Sequence, residues 1–430
     1  MRVLVTGAYG FIGADVVAAL IAAGHEVVCA VRAARVDARF PGVVAIACDM
    51  ATDVDEAAWL PRLVGVDAVV NCAGILRERG TSTFESVHVA APLALFRACA
   101  TAGVRRVIQM SALGDPADGE FVASKHRCDH ALSMLALDWV VLRPSVVYST
   151  RGAYGGTSLL RALAALSYGI ALPGDGRQRL QPVALPDLAQ AVVAILAAPN
   201  VSRETFELVG PNVVTLADYL RAWRRWLGIR GGREWHVPLR CVRAISRIGE
   251  AIGRGPLGLT MLRMLERGNI GNPGAWERVR ERLGVAAASL ECALSQTPAQ
   301  TQDRQHARAY FWIPALRGAL AALWIASGLL GLALPTEVVG ATTPAEPIEG
   351  PVVLALARIG GGVDLVLGLL CFARWRPRLV LAAMTGVLAI YTVAIGTLWP
   401  QHWLDPFGGL IKNIPLLAAL GLLLAVEERR

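Results

Sequence analysis

Seven residues near the start of the chain are spaced to do one piece of chemistry. Thr6, Gly7, Tyr9, Gly10, Phe11, Ile12 and Gly13 follow the apolar run Val3-Leu4-Val5 and lead into a helical stretch, Ala14 to Ala23. Gly7 lets the chain leave a strand in a tight turn. Gly10 removes a side chain that would block backbone approach to phosphate, and Gly13 lets the helix lie close on the strand. The helix N-terminus, with its free N–H groups, then faces the anion. A second apolar run, Glu26 to Val31, follows Gly24. Together these make the strand, turn, helix and strand that cradle a dinucleotide pyrophosphate.

The second run ends at Arg32, where an NAD-selective protein commonly places an acid for the ribose hydroxyls. A base at this point, helped by Arg35, suits a 2′-phosphate, so NADP(H) is favoured over NAD(H). Asp37 is close enough to neutralise Arg32, which leaves a solvated surface arginine as the competing reading. Asp49 and Met50 end the third run, with Asp49 placed to meet adenine amino groups. Cys72, Ala73 and Gly74 follow the fourth and bring small side chains and backbone beside the cofactor.

These residues must be positioned by the runs that precede them. Val43 to Cys48, Ala68 to Asn71, Arg106 to Met110 and Trp139 to Leu142 alternate with segments long enough for crossover helices. The expected fold is α/β, a doubly wound parallel Rossmann sheet, with its ligand crevice at the carboxyl ends of the strands. After Pro144 a smaller capping lobe is expected, mainly over 150–235. Within it Asp187 begins an apolar-periodic helix and reads as its cap.

The chain resembles the short-chain dehydrogenase/reductase superfamily in its extended or atypical branch. The resemblance covers about residues 1 to 230 and rests on the order of Thr6 to Gly13, Asn71 to Gly74, Ser111, Lys125 and Leu142-Arg143-Pro144. Gln109 to Gly114 and Val87-His88-Val89 look most like the atypical group that includes the nucleotide-binding accessory subunit of respiratory complex I. That resemblance implies Ser111 and Lys125 as the catalytic pair, with Lys125 also holding the nicotinamide ribose and Ser111 facing the nicotinamide ring. The family's active dyad is Tyr-x-x-x-Lys, which places phenol and ammonium one helical turn apart so that the phenol can pass a proton. This chain has Phe121-Val122-Ala123-Ser124-Lys125: the shape is kept and the proton is lost. Tyr148, Ser124 and His126 are the neighbouring candidates for a replacement donor, and His88 reads more simply as a satisfied helix histidine.

At 430 residues the chain is too long for one ordinary domain. Its start reads as a strand and not as a signal peptide, so the first domain is expected in the cytoplasm. The eight cysteines are dispersed, without metal-ligand spacing, so no metal site is expected. Only Lys125 and Lys412 among 42 basic residues are lysine. Between Arg221 and Arg282 lie fourteen arginines and five acids, an excess larger than the formal net charge of the whole chain, +8. Arg240 to Arg254 and Met261 to Arg267 alternate basic and apolar residues as helices on an anionic membrane surface do, so membrane lipid is favoured over nucleic acid as the partner.

After Tyr310 four apolar stretches follow: Phe311 to Leu334, Pro351 to Phe372, Leu379 to Leu398 and Gly408 to Val426. Each has about the length of a bilayer crossing. The expected domains are therefore 1–235, NAD(P)-binding; 236–305, a basic amphipathic helical connector; and 306–430, an all-α four-helix transmembrane bundle. Arg304, Arg308, Arg374, Arg376, Arg378, Arg429 and Arg430 fall on one side of the four spans. The positive-inside rule then puts both termini in the cytoplasm of a bacterial-type inner (plasma) membrane. Arg317, Gly361 to Gly368, and Asp405 to Asn413 resemble the DoxX-like membrane family. Arg358, Asp364 and Lys412 are expected to face the bundle interior, where a structural ion pair between spans two and four competes evenly with a proton- or quinone-linked site.

The sequence thus reads as a membrane-anchored, NADP(H)-binding oxidoreductase with an atypical active site and a lipid-soluble or membrane-delivered small-molecule substrate. Its rival is a non-catalytic redox sensor or structural module, with membership of a membrane protein complex open to either.

Overall fold

The computed structural model describes residues 1–32, 40–251, 258–342, 348, 350–405 and 408–427. It divides into two compact units, Met1–Arg308 and Ala309–Arg430.

The first unit is built on seven strands, β1 (Arg2–Thr6), β2 (Glu26–Val31), β3 (Val44–Ala47), β4 (Ala68–Asn71), β5 (Arg106–Met110), β6 (Asp138–Pro144) and Glu204–Leu208. All pair in parallel, in the order Glu204–Leu208, β6, β5, β4, β1, β2, β3. The chain direction across the sheet reverses between β1 and β4, which opens the ligand crevice of doubly wound sheets at that point. Strand residues run as unbroken apolar stretches because both faces are covered. Val3 and Val5 pack with Val17, Leu20, Leu188 and Ile195 on one face, while Leu4 joins Leu95, Phe96, Cys128 and Leu132 on the other. The helices that cover these faces are Phe11–Ala22 and Leu185–Ala197, and Ala91–Ala102 and Glu120–Ser133.

Past Pro144 the chain does more than cap the cleft. A second core forms around Tyr148, Leu172, Leu216, Tyr219, Leu220 and Trp223. Between its parts the chain returns to the main sheet through Leu185–Ala197 and Glu204–Leu208. Asp187 is not the cap of its helix. That position is Ala184, and the Asp187 carboxylate accepts the Ala288 N–H at 2.8 Å, burial holding its acid form above the ordinary range.

The segment expected as a basic amphipathic helical connector is helical and lies within the first unit. It contains Leu239–Ala251, Leu259–Arg267, Ala275–Leu283 and Leu290–Gln296. Val279 and Leu283 enter the sheet core, and Leu290 and Leu294 enter the second core. Several of its arginines find carboxylates on their own domain. Arg267 pairs with Asp118 at 2.9 Å, Arg278 and Arg282 share Glu204, and Arg243 reaches Glu266 at 2.9 Å. Part of the anionic partner required by the arginine excess is therefore internal. Arg254 lies outside the described residues.

Among the described residues three helices are long and apolar enough to cross a membrane, Thr301–Ala333 (which includes the unit boundary), Gly350–Ala373 and Pro377–Leu398. The fourth expected span is shorter, Leu410–Val426, because Gly408 takes a positive φ of 80° and Leu410–Lys412 form a tight 3-10 turn before the α-helix Asn413–Val426. The first two helices cross closely through small residues. A Cβ added to Gly331 would lie 2.9 Å from the Gly361 Cα and 2.9 Å from the Ala357 carbonyl oxygen. Glu427 binds Arg317 and, at 2.9 Å, Arg374. The expected Asp364–Lys412 pair is not formed. Asp364 accepts the Ser327 hydroxyl at 2.8 Å, and the Lys412 stem lies against Gly408. Arg358 caps the first span, donating to the carbonyls of Gly331 (2.9 Å) and Leu334 (2.6 Å). Pro406, Phe407, Arg429 and Arg430 lie outside the described residues.

Candidate functional site

The turn after β1 is held by its own glycines. Gly7 has φ of 62°, and a Cβ there would lie 2.9 Å from the Ala73 N and Cα and the Cys72 carbonyl carbon. The Gly10 N–H donates to the Gly7 carbonyl at 2.8 Å, and a Cβ on Gly13 would overlap that same carbonyl. Gly10 precedes the first turn of Phe11–Ala22 with no side-chain cap. The leading N–H groups of a helix have no partner within it, so they are available to an anion. Below the turn, Thr6 donates to Asn71, Asn71 Nδ2 donates to Gln109 Oε1 at 2.7 Å, and Asn71 Oδ1 also accepts the Ala73 N–H. This buried chain of polar groups ties β1, β4 and β5 together at their carboxyl ends.

Beside the turn is a cleft whose lining includes Gly7, Arg32, Asp49, Met50, Ala73 and Gly74, six of the residues assigned to the cofactor from sequence. Arg32 is exposed at its mouth, while Arg35 and Asp37 lie outside the described residues. Asp49 spends Oδ1 on the Ala51 N–H at 3.0 Å. The remaining predicted residues sit around the turn and not in the cleft lining: Thr6 in the polar chain below, Ile12 against the sheet core, Tyr9 against the Phe40 ring (6.0 Å), and Phe11 stacked with Tyr154 (6.4 Å). Cys72 follows Asn71, and burial pushes its thiol up to about 12. The residues fit a dinucleotide: Gly7 and Gly13 let the turn, the helix and the end of β4 close-pack, and Gly10 leaves no side chain over the helix N-terminus beside the cleft.

At the other end of the crevice Lys125 and Ser111 are buried on neighbouring elements. Lys125 Nζ donates to the carbonyls of Ala73 (2.9 Å) and Met110 (3.1 Å), and burial pushes its ammonium down from the usual lysine range. Two of its three donors are thus spent on the ends of β4 and β5. The Ser111 hydroxyl donates to Asp129 Oδ2 at 2.7 Å, which also accepts from Arg143 Nε (3.0 Å) and Nη2 (2.9 Å). A hydroxyl that donates to a carboxylate can offer a ligand only its lone pairs. Asp129 was not singled out from sequence. It sits one helical turn beyond Lys125, but its partner Arg143 is on β6, and only the fold joins them.

Phe121 turns its ring edge-on to His88 (5.6 Å) and to Phe84 (6.4 Å). His88 lies in a π-helical turn, Glu85–Ala90, and is fully buried. Its Nε2 accepts the Ile75 N–H at 3.0 Å, which requires the proton on Nδ1, and Nδ1 then donates to Ser124 Oγ at 2.9 Å. Ser124 in turn donates to the Glu120 carbonyl at 2.7 Å. His126 Nε2 donates to the Ala112 carbonyl at 3.0 Å, and Tyr148 is buried in the second core against Trp223. All three replacement donors considered from sequence are therefore engaged or enclosed elsewhere.

The buried imidazole has a consequence for stability. Burial, aided by the Lys125 charge, pushes His88 down to about 2 from 6.5. Below pH 6.5 the unfolded chain binds a proton that the folded domain refuses, so stability is complete above that pH and falls as pH drops. The loss at pH 5 is about 2 kcal/mol. Thermal unfolding between pH 7.5 and 5 should show this decline, and His88→Asn should flatten it; an unchanged slope in the variant would assign the acid sensitivity elsewhere.

Known proteins share both halves. Residues 3–208 match the NAD dependent epimerase/dehydratase family, and residues 321–421 match the DoxX-like family. An epimerase family protein of Mycobacterium bovis is 29% identical over 254 residues, 52% of this chain and 78% of that protein. The mitochondrial NADH dehydrogenase [ubiquinone] 1 alpha subcomplex subunit 9 of Arabidopsis thaliana is 28% identical over 242 residues, 52% of this chain and 59% of that protein. In structure, the UDP-glucose 4-epimerase of Thermotoga maritima superposes with a TM-score of 0.54 at 18% identity, covering 72% of this chain and 100% of that one. The protein therefore joins an epimerase-like and short-chain-dehydrogenase-like NAD(P)-binding Rossmann domain to a C-terminal DoxX-like domain.

Proposed function

We propose that the N-terminal domain is a membrane-anchored NADP(H)-binding module that holds its dinucleotide without an acid donor for carbonyl reduction. The observation that carries this reading is the Ser111 hydroxyl donated to Asp129, beside a phenylalanine, Phe121, at the position where a phenol would supply the proton. A ketone oxygen gaining negative charge needs a hydrogen-bond donor, and these two side chains have none to give. Gly7, Gly10 and Gly13 hold the pyrophosphate, Arg32 meets the 2′-phosphate, Asp49 and Met50 flank the adenine, and Cys72, Ala73 and Gly74 line the path toward Lys125. The bound dinucleotide supplies hydride chemistry or a redox signal; the chain's own residues bind and orient it. Turnover as an oxidoreductase on a lipid-soluble substrate is the second reading, favoured by the retained buried Lys125.

In this reading the protein is a multi-pass protein of a bacterial-type inner membrane with both termini cytoplasmic. Leu410–Val426 makes the fourth crossing, about 25 Å long at 1.5 Å per residue, at the short end of what spans a hydrocarbon core. The similarity to a subunit of an NADH dehydrogenase supports membership of a membrane protein assembly.

The test is titration of the detergent-solubilised protein with NADPH and NADH, followed by single-turnover oxidation of bound NADPH against quinones and carbonyls. Tighter binding of NADPH than NADH, lost on Arg32→Asp, and no oxidation are expected. Phe121→Tyr should introduce slow oxidation with a carbonyl acceptor. Wild-type turnover equal to or above that of the variant would overturn the binding-only reading.

A further inference from the structure

We infer that the helix Leu239–Ala251 is a docking surface for an anionic lipid bilayer. Its residues fall into three arcs by helical spacing. Leu239, Val242, Ser246 and Gly249 are buried or half-buried toward the domain. Arg240, Arg243 and Arg247 form a basic arc, spaced by three and four residues. Cys241, Ile245 and Ile248 form a third arc that faces away from the domain, with Ile245 50% and Ile248 59% exposed. Two large β-branched side chains turned outward beside arginines are the pattern of a helix that lies in a membrane interface, its apolar residues among acyl chains and its guanidinium groups among headgroup phosphates.

The internal ion pairs sharpen the assignment. Arg243 is neutralised by Glu266 of the neighbouring helix Leu259–Arg267. Arg240 and Arg247, at the two ends of the arc, are exposed. Glu250 is the exposed acid of the same helix and the three arginines outnumber it, so charge complementarity favours an anionic surface. The occupant is also at hand, because among its described residues the same chain carries three helices long enough to cross a bilayer. A tethered domain meets headgroups at high effective concentration, so a few weak contacts suffice for docking.

The helix is also joined to the rim of the nucleotide domain. The Gly249 carbonyl accepts from Arg77 at 2.7 Å, just beyond β4. In the neighbouring helix, Met261 lies on Gly156 and Thr260 lies on Gly119, so that a Cβ at Gly156 would come within 2.7 Å of the Met261 methyl. The membrane-facing arc and the rim of the crevice thus belong to one helical pair.

The experiment uses the full chain with Cys292→Ser, which leaves Cys241 as the exposed cysteine thiol among the described residues. Cys241 is spin-labelled, and its accessibility to oxygen and to a water-soluble nickel chelate is measured in nanodiscs of phosphatidylcholine or of phosphatidylcholine with phosphatidylglycerol. Nickel accessibility should fall about tenfold in the anionic discs relative to the neutral ones. Arg240→Glu with Arg247→Glu, and separately Ile245→Ser with Ile248→Ser, should restore it while circular dichroism and NADPH affinity stay unchanged. Equal accessibility in both lipids overturns the proposal, as does burial of the label by an added single-stranded oligonucleotide and not by anionic lipid. Unchanged immersion in both double variants overturns it as well. These outcomes are independent of whether the site turns over.

Discussion

Gly10→Leu is expected to leave the Rossmann domain folded and to weaken NADPH binding at least about 100-fold, equivalent to about 2.7 kcal/mol. The three cradle glycines are not equivalent, and the difference makes this substitution informative. Gly7 adopts a left-handed φ of 62° and has three backbone atoms 2.9 Å from a would-be Cβ, so a side chain there breaks the turn. Gly13 faces the Gly7 carbonyl so closely that even alanine must push helix from strand, at a cost of about 1–3 kcal/mol. Gly10 is extended at φ −73°, ψ 176°, a conformation open to any residue, and its Cβ would meet only the Gly7 carbonyl at 3.0 Å. A side chain there meets no other protein atom near its Cβ and, in the proposed function, would enter the space of the pyrophosphate. Calorimetric titration beside a thermal melt separates the two effects. Retained affinity with a normal melt would remove the cradle from the proposed function, whereas loss of both would mean only that the turn had failed.

Much of this site was legible because it depends on local rules. A strand feeding three spaced glycines and a helix specifies backbone geometry within a dozen residues, and unbroken apolar runs specify a sheet covered on both faces. The crevice followed from strand order, so Arg32, Asp49, Met50, Ala73 and Gly74 converge although they come from different strand ends. What sequence could not supply were partners chosen across the fold. Lys125 was placed at the ribose, but its reach to the Ala73 and Met110 carbonyls depends on how deeply its helix settles on the sheet. The charge run was only partly legible for a similar reason: Asp118 and Glu204, from elsewhere in the chain, meet Arg267, Arg278 and Arg282. Asp364 and Lys412 looked like complementary buried charges, whereas Asp364 Oδ2 accepts from a serine on another helix and Oδ1 has no partner among the described residues. In the last helix, apolar content alone did not reveal how many residues the turn at Gly408 would take from the span.

Asp129→Ala should be among the most damaging single substitutions in the domain, costing about 3–5 kcal/mol. The Asp129 side chain is 5% exposed and its Oδ2 gathers three donors, two from Arg143 and one from Ser111. Alanine leaves a half-buried guanidinium without its counter-charge and a buried hydroxyl without its acceptor. Asp129→Asn keeps the volume and one carbonyl oxygen for Arg143, so it should cost less and permit a functional comparison. With the carboxylate gone, the Ser111 proton is no longer committed to an ionised acceptor and can turn toward a ligand oxygen. Asp129→Asn should therefore leave NADPH affinity near the wild-type value, yet increase the carbonyl-dependent oxidation introduced by Phe121→Tyr when the two are combined. Thermal unfolding of both Asp129 variants, with single-turnover oxidation in the Phe121→Tyr background, measures the two effects separately. A stable alanine variant would show that Arg143 finds another partner. If Asp129→Asn adds nothing to Phe121→Tyr, the orientation of Ser111 is not what limits the site, and the missing phenol alone is left to account for the proposed binding without reduction.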